Sequence, residues 1–212
     1  MHAFHNARRR LPTNGPVRAS YRPGSPVVVE VHMKKKLLAA VAALATAAGI
    51  GLLAPATANA AYCGIQWGSA QKGRTGTASP LTNVRGGQQP CFDRLVIDLA
   101  GRPPGSLVRY LSSVPYEGRD GHIPLRGNAF LQIVVRGPAY TADGRPTYRP
   151  RNSAELVDVR GWRTFRQVGW GGSFEGSTTI GLGLRARLPF RVTVLAGPGN
   201  GSRIVVDVAH AW

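Results

Sequence analysis

Histidine, acid and lysine are scarce in this chain, and each shortage narrows its chemistry. Of five histidines only His122 and His210 follow residue 60. A histidine-based zinc site needs several ligands at matched spacing, and neither residue has them nearby. The two cysteines, Cys63 and Cys91, stand without a neighbouring histidine, so no metal and no cofactor is expected. If the two thiols pair, no cysteine nucleophile remains. Helical periodicity is nearly absent after residue 60. That argues against a basic amphipathic helix lying on anionic lipid. It also disposes of Gly181-x-Gly183-x-x-Ala186 as a dinucleotide fingerprint, which works by opening a helix onto a pyrophosphate. Here the alternation continues as strand, and glycines on one strand face suit close packing or close approach of a ligand.

The front of the chain carries an export signal. Met33-Lys34-Lys35-Lys36 is a basic n-region, Leu37 to Leu53 an uncharged apolar run, and Ala58-Asn59-Ala60 an A-x-A cleavage site. Residues 33–60 therefore read as a signal peptide cut between Ala60 and Ala61. A retained membrane anchor is the competing reading. The run is mostly alanine with Gly49 and Gly51, whereas a spanning helix wants ~20 strongly apolar residues, so no transmembrane anchor is expected after processing. Residues 1–32 hold Arg8-Arg9-Arg10 and four prolines without hydrophobic periodicity. They are expected to be a disordered leader or an untranslated stretch ahead of a start at Met33.

The chain from Ala61 to Trp212 suits one domain with its own core. It keeps 19 of the 27 basic and nine of the ten acidic residues, a formal balance of +10. Lys72 is its one lysine; the other 18 basic residues are arginine. Nucleic acid is the generic partner for so basic a domain, but an exported domain meets envelope polymers first, so none is expected. Export also favours a Cys63–Cys91 disulfide. It would stabilise the fold by roughly 3.6 kcal/mol in the chain-entropy account.

Residues 61–90 are rich in Gly, Ser and Gln and read as an irregular N-terminal segment. From residue 91 to 212 short alternating strands follow one another between Gly/Pro turns. They are expected at 92–100, 107–111, 129–136, 156–159, 164–170, 178–187, 190–195 and 204–210, with a long loop at 137–154. The pattern predicts an all-β fold, an antiparallel sandwich or barrel. Arg94-Leu95-Val96-Ile97-Asp98-Leu99-Ala100 recurs as Arg203-Ile204-Val205-Val206-Asp207-Val208-Ala209, which suggests a sandwich of two similar halves.

Several stretches resemble one family. Phe92-Asp93-Arg94-Leu95-Val96-Ile97-Asp98-Leu99 is similar to the opening of the AMIN-like domain of secreted bacterial proteins. Ala129-Phe130-Leu131-Gln132-Ile133-Val134-Val135, Gly172-Ser173-Phe174-Glu175-Gly176, Gly181 to Val192 and Arg203 to Trp212 resemble its later parts. The resemblance spans about residues 63–212. It implies a β-sandwich relative of the AMIN domain, which accompanies cell-wall amidases and secretins and targets them to the envelope, commonly by binding peptidoglycan. The localisation it implies is secreted, extracellular or wall-associated.

Groups suited to catalysis do not converge in the sequence, and no enzyme is expected. Gly172-Ser173-Phe174-Glu175-Gly176 is not a nucleophile elbow, since no helix pattern follows it. Asp207 and His210 lie three apart on a strand, so their side chains leave opposite faces. Asp98 and Asp207 could in principle flank a glycosidic bond, but aspartates paired with some of the 18 arginines are the better reading. Binding is more legible. Arg185, Arg187 and Arg191 are expected to form a band across a tight turn between consecutive strands, extended by Arg163 and Arg166. Trp170 and Phe174 add aromatic surface. Arginine forks match carboxylates and phosphates, and flat aromatics stack on sugar faces. Peptidoglycan or an associated anionic wall polymer is therefore the expected partner. The alternatives are a secreted hydrolase of envelope material, or a structural protein that binds an envelope protein through a sheet edge.

Overall fold

The computed structural model describes residues 62–212, so the leader 1–32, the segment 33–60 and the Ala60–Ala61 junction lie outside the described residues. No helix among the described residues is long and apolar enough to cross a membrane.

Among the described residues nine strands form two antiparallel sheets. They are β1 (Lys72–Arg74), β2 (Leu81–Gln88), β3 (Phe92–Leu99), β4 (Ser106–Leu111), β5 (Ala129–Val135), β6 (Phe165–Phe174), β7 (Ser177–Leu184), β8 (Phe190–Ala196) and β9 (Ser202–Ala209). One sheet runs β1-β4-β5-β7-β6 and the other β2-β3-β9-β8. The strands alternate because one face of each sheet turns to a shared core. Leu95, Ile97, Leu99, Phe190, Ile204, Val206 and Val208 come from the four-stranded sheet. Val108, Leu131, Ile133, Val135, Phe165, Val168, Ile180, Leu182 and Leu184 come from the five-stranded one. Each such side chain contributes about 1.5–3 kcal/mol when fully buried. The expected all-β sandwich is what the chain adopts. Cys63 and Cys91 are at disulfide distance, Cα to Cα 6.1 Å, tying the start of the described chain to the residue before β3.

Four expectations need correcting. Residues 61–90 are not wholly irregular: β1 and β2 lie there. β2 has only Leu81 and Val84 as buried apolar residues and a register shift between Leu81 and Asn83, so its alternation is broken and its strand form depends on pairing with β3. Leu156 to Val159 is not a strand. It touches β6 with a single bond, from the Leu156 N–H to the Val168 carbonyl (2.8 Å), and then turns away. β7 and β8 are consecutive but belong to different sheets, because Arg185 to Pro189 carries the chain across the sandwich. The repeated motif does not mark two halves either. Its copies, β3 and β9, are neighbours at the centre of one sheet.

The outer face of the five-stranded sheet is closed by the chain itself. Residues 112–128, between β4 and β5, lie over Gly169, Gly171, Gly181 and Gly183. A Cβ on Gly181 would come within 2.8 Å of Leu125 Cδ1, and one on Gly183 within 2.0 Å of the Arg126 carbonyl oxygen. The glycine stripe thus serves close packing. Gln167 fastens the cover: its Oε1 accepts from the Arg126 N–H (2.8 Å) and its Nε2 donates to the Pro124 carbonyl (3.0 Å).

Candidate functional site

The outer face of the four-stranded sheet is built differently, from charge. The register between β3 and β9 sets Arg94 opposite Asp207, Val96 opposite Val205 and Asp98 opposite Arg203. The repeated motif therefore generates a local two-fold arrangement, with two buried valines at its centre (6% and 3% exposed). Asp207 is the anchor. Its carboxylate is 1% exposed and accepts from Arg94 Nε (2.7 Å) and Nη2 (2.9 Å) and from Arg191 Nε (2.8 Å), while the two arginines remain 33% and 41% exposed. Its hydrogen bonds raise the pKa of Arg94. On the other flank Asp98 accepts from Arg85 Nε (2.8 Å) and Nη2 (3.0 Å), and that bonding raises the pKa of Arg85. Arg203 does not close the matching pair with Asp98. Its Nη2 donates to the Ala196 carbonyl (3.0 Å), and its buried Nε has no partner among the described residues.

Three arginines thus share two aspartates on this face, with Arg203 beside them. The guanidinium of Arg191 also lies over Trp67 (4.4 Å) and Phe92 (5.4 Å), and that of Arg94 over Phe92 (5.2 Å). Aspartates and rings hold the forks in place, and their outward N–H groups are left to meet an anion. Asp98 and Asp207 are each committed to arginine, as the sequence suggests.

The candidate residues divide among several places. Arg191 is on the arginine face. Arg187 sits at the adjoining corner, over the Tyr110 ring (4.7 Å), with Nε and Nη2 donating to Ser69 Oγ and the Ser69 carbonyl (both 3.3 Å). Burial raises the pKa of Tyr110, whose hydroxyl donates to the Leu188 carbonyl (2.8 Å). Arg185 donates to the His210 carbonyl. Arg166 donates from Nη1 to the carbonyls of Trp162 (2.9 Å) and Phe165 (3.0 Å), and Arg163 is exposed. Trp170 and Phe174 lie farther along β6, with Phe174 about 26 Å of strand from Arg166 and 49% exposed. Arg185 and Arg187 lie in the crossing between sheets and Arg191 on β8, so the three do not flank a tight hairpin turn.

Trp170 instead walls a cleft of about 360 Å³ on the five-stranded side, together with Tyr116, Arg119, Ser153, Gly171 and Gly172. The Trp170 N–H donates to the Ser153 carbonyl (2.7 Å), so residues 153–156 also cover the edge of β6. Arg119 stacks on Tyr116, 3.4 Å from the ring centroid.

One polar pair escapes the sequence reading. His210 Nε2 lies 3.0 Å from Asp93 Oδ1, both deeply buried. Asp93 Oδ2 accepts from the N–H groups of Thr164 (2.7 Å) and Phe165 (2.9 Å). It therefore fastens the start of β6 in one sheet to β3 in the other. The signal was present in the alternation: Asp93 shares the inward parity of Leu95, Ile97 and Leu99, and His210 that of Val206 and Val208. His210 Nδ1 has no partner among the described residues.

Among known proteins, a family model described as the AMIN-like domain matches residues 79–210, well over half of the chain. No curated protein and no solved structure matches.

Proposed function

Since the chain belongs to the AMIN-like domain family, we propose that it is a non-catalytic, secreted module of the bacterial cell envelope that binds peptidoglycan or an associated anionic wall polymer. The observation that carries this reading is the open arginine face, where Asp207 holds Arg94 and Arg191 with N–H groups turned outward. Wall polymers supply the matching groups: carboxylates on muramyl residues and peptide stems, and phosphates on teichoic chains. A flat, charged sheet surface suits a polymer strand better than a small substrate. Arg185, Arg187, Arg163 and Arg166 would add attraction at the flanks.

Co-sedimentation with purified sacculi, with and without teichoic acid and across a salt series, tests the proposal. Pelleting without teichoic acid, weakened several-fold in Arg94→Gln/Arg191→Gln, is the expected result. Pelleting that requires teichoic acid and disappears with salt would make the polyphosphate the ligand and the attraction mainly screened charge. No pelleting at any salt would overturn wall binding. A specific observation favours the protein-partner reading in that case: among the described strands β8 pairs only with β9, which leaves an edge that a partner strand could extend.

A further inference from the structure

We propose that residues 62–69, tethered by the Cys63–Cys91 disulfide, complete the arginine face, and that Trp67 is the residue that positions Arg191 for contact with an anion. This rests on the reading of that face as the binding surface and adds what holds it in shape. The segment precedes residue 79, where the family match begins, so the matched domain does not contain it. The need for it lies at Asp207. Arg94 meets that carboxylate with two N–H groups, Nε at 2.7 Å and Nη2 at 2.9 Å, and a two-pronged contact fixes the plane of a guanidinium. Arg191 meets it with Nε alone, at 2.8 Å, and is 41% exposed. One hydrogen bond leaves the fork free to swing.

Trp67 supplies the missing constraint. The Arg191 guanidinium lies 4.4 Å from the Trp67 ring centroid and 5.4 Å from that of Phe92. The two rings meet edge to face, 5.4 Å between centroids, and so form a bracket around the cation. Phe92 is placed by β3, but Trp67 belongs to no strand and depends on its neighbours. Ile65 is buried at 9% exposure. The Gly68 carbonyl accepts from the Phe190 N–H at the start of β8 (2.9 Å). Ser69 accepts from Arg187 at its hydroxyl and its carbonyl (both 3.3 Å), so Arg187 acts on the face through this segment. The disulfide joins Cys63 to Cys91, the residue directly before Phe92. The covalent tether and the second ring of the bracket are thus adjacent in the chain, and the link sets where Trp67 stands relative to Arg191.

The test compares Trp67→Ala, Trp67→Phe and Cys63→Ser/Cys91→Ser with the parent chain by two readouts, the Arg191 Nε–H resonance in NMR and pelleting with purified sacculi. Trp67 lies outside the core between the sheets, so Trp67→Ala should keep the fold. It is expected to move the Arg191 resonance, leave that of Arg85 on the other flank in place, and weaken pelleting about 3-fold. Trp67→Phe keeps a ring under the cation and should restore most of both signals, as a merely structural role would not require. The double cysteine variant should reproduce Trp67→Ala in both readouts; if it does not fold, the Trp67 pair carries the test. An unchanged Arg191 resonance or unchanged pelleting in Trp67→Ala would overturn the proposal, as would a phenylalanine no better than alanine. A folded double cysteine variant that keeps both signals would overturn the tether. A parent chain that fails to pellet overturns the wall reading alone, and the Arg191 resonance then still decides whether Trp67 positions the fork.

Discussion

The two outer faces of this sandwich solve the same problem in opposite ways. Both belong to antiparallel sheets whose inner faces fill one core. On the five-stranded sheet four outward positions of β6 and β7 are glycines, and residues 112–128 settle on the backbone there, fastened by Gln167 and Thr179. On the four-stranded sheet the outward positions of β3, β8 and β9 include Arg94, Asp98, Arg191, Arg203 and Asp207, and charge keeps the face in water. A face with a glycine stripe can be covered closely by the chain itself. A face of paired charges resists such cover, since burying it would cost desolvation that the existing pairs cannot repay, yet it can still meet a solvated polyanion.

The largest expected effect breaks the closed face. Gly183→Val places a side chain where the Arg126 carbonyl oxygen already lies, 2.0 Å from the ideal Cβ. The covering segment must lift, at a cost of about 3 kcal/mol, measurable as a lower urea midpoint. A variant as stable as the parent would mean that the cover is not packed as described.

Next comes the anchor of the open face. Asp207→Ala leaves Arg94 and Arg191 without their buried carboxylate. About 2 kcal/mol is expected, below the usual cost of breaking a buried pair because both arginines reach water. Urea unfolding reads it directly. The reciprocal change, Arg191→Gln, should cost ~1 kcal/mol or less, since Arg94 still pairs with Asp207, while reducing pelleting with sacculi several-fold. Equal losses of stability and binding would reduce the face to a structural feature.

The smallest effect calibrates charge away from either face. Asp158 is fully exposed, and its pKa is lowered from 3.8 to about 2 by side-chain and backbone hydrogen bonds from Arg160. A depressed carboxylate pKa gives a stabilisation present above 3.8 and lost as pH falls towards about 2. An NMR titration should show this, and Arg160→Gln should return Asp158 towards its ordinary range. It separates a pair made between residues two apart from the lattice around Asp207, which joins three strands.

Much of the architecture was legible from the residues. Leu95-x-Ile97-x-Leu99 and Ile180-x-Leu182-x-Leu184 announced their inward faces, and the pairing of Asp98 and Asp207 with arginine followed from their outward parity. β2 was hidden because a register shift breaks its alternation after Leu81. The placement of Arg185, Arg187 and Arg191 is not legible locally, because a turn through Leu188 and Pro189 looks the same whether it closes a hairpin or crosses between sheets. Arg94 is legible as a site residue only through its place in the repeated motif.

The division has a physical cause. Which side of a strand turns inward depends on a period of two residues, and every residue carries that information locally. The sequence alone therefore determined the all-β class, the inward faces and the pairing of the two cysteines. Which strands become neighbours, and which outer face is covered, depends on contacts between residues as far apart as Arg94 and Asp207 or Asp93 and His210. No local pattern encodes that choice. Only the folded chain, comparing all its packings at once, placed β3 beside β9, left the arginines open and laid residues 112–128 over the glycines.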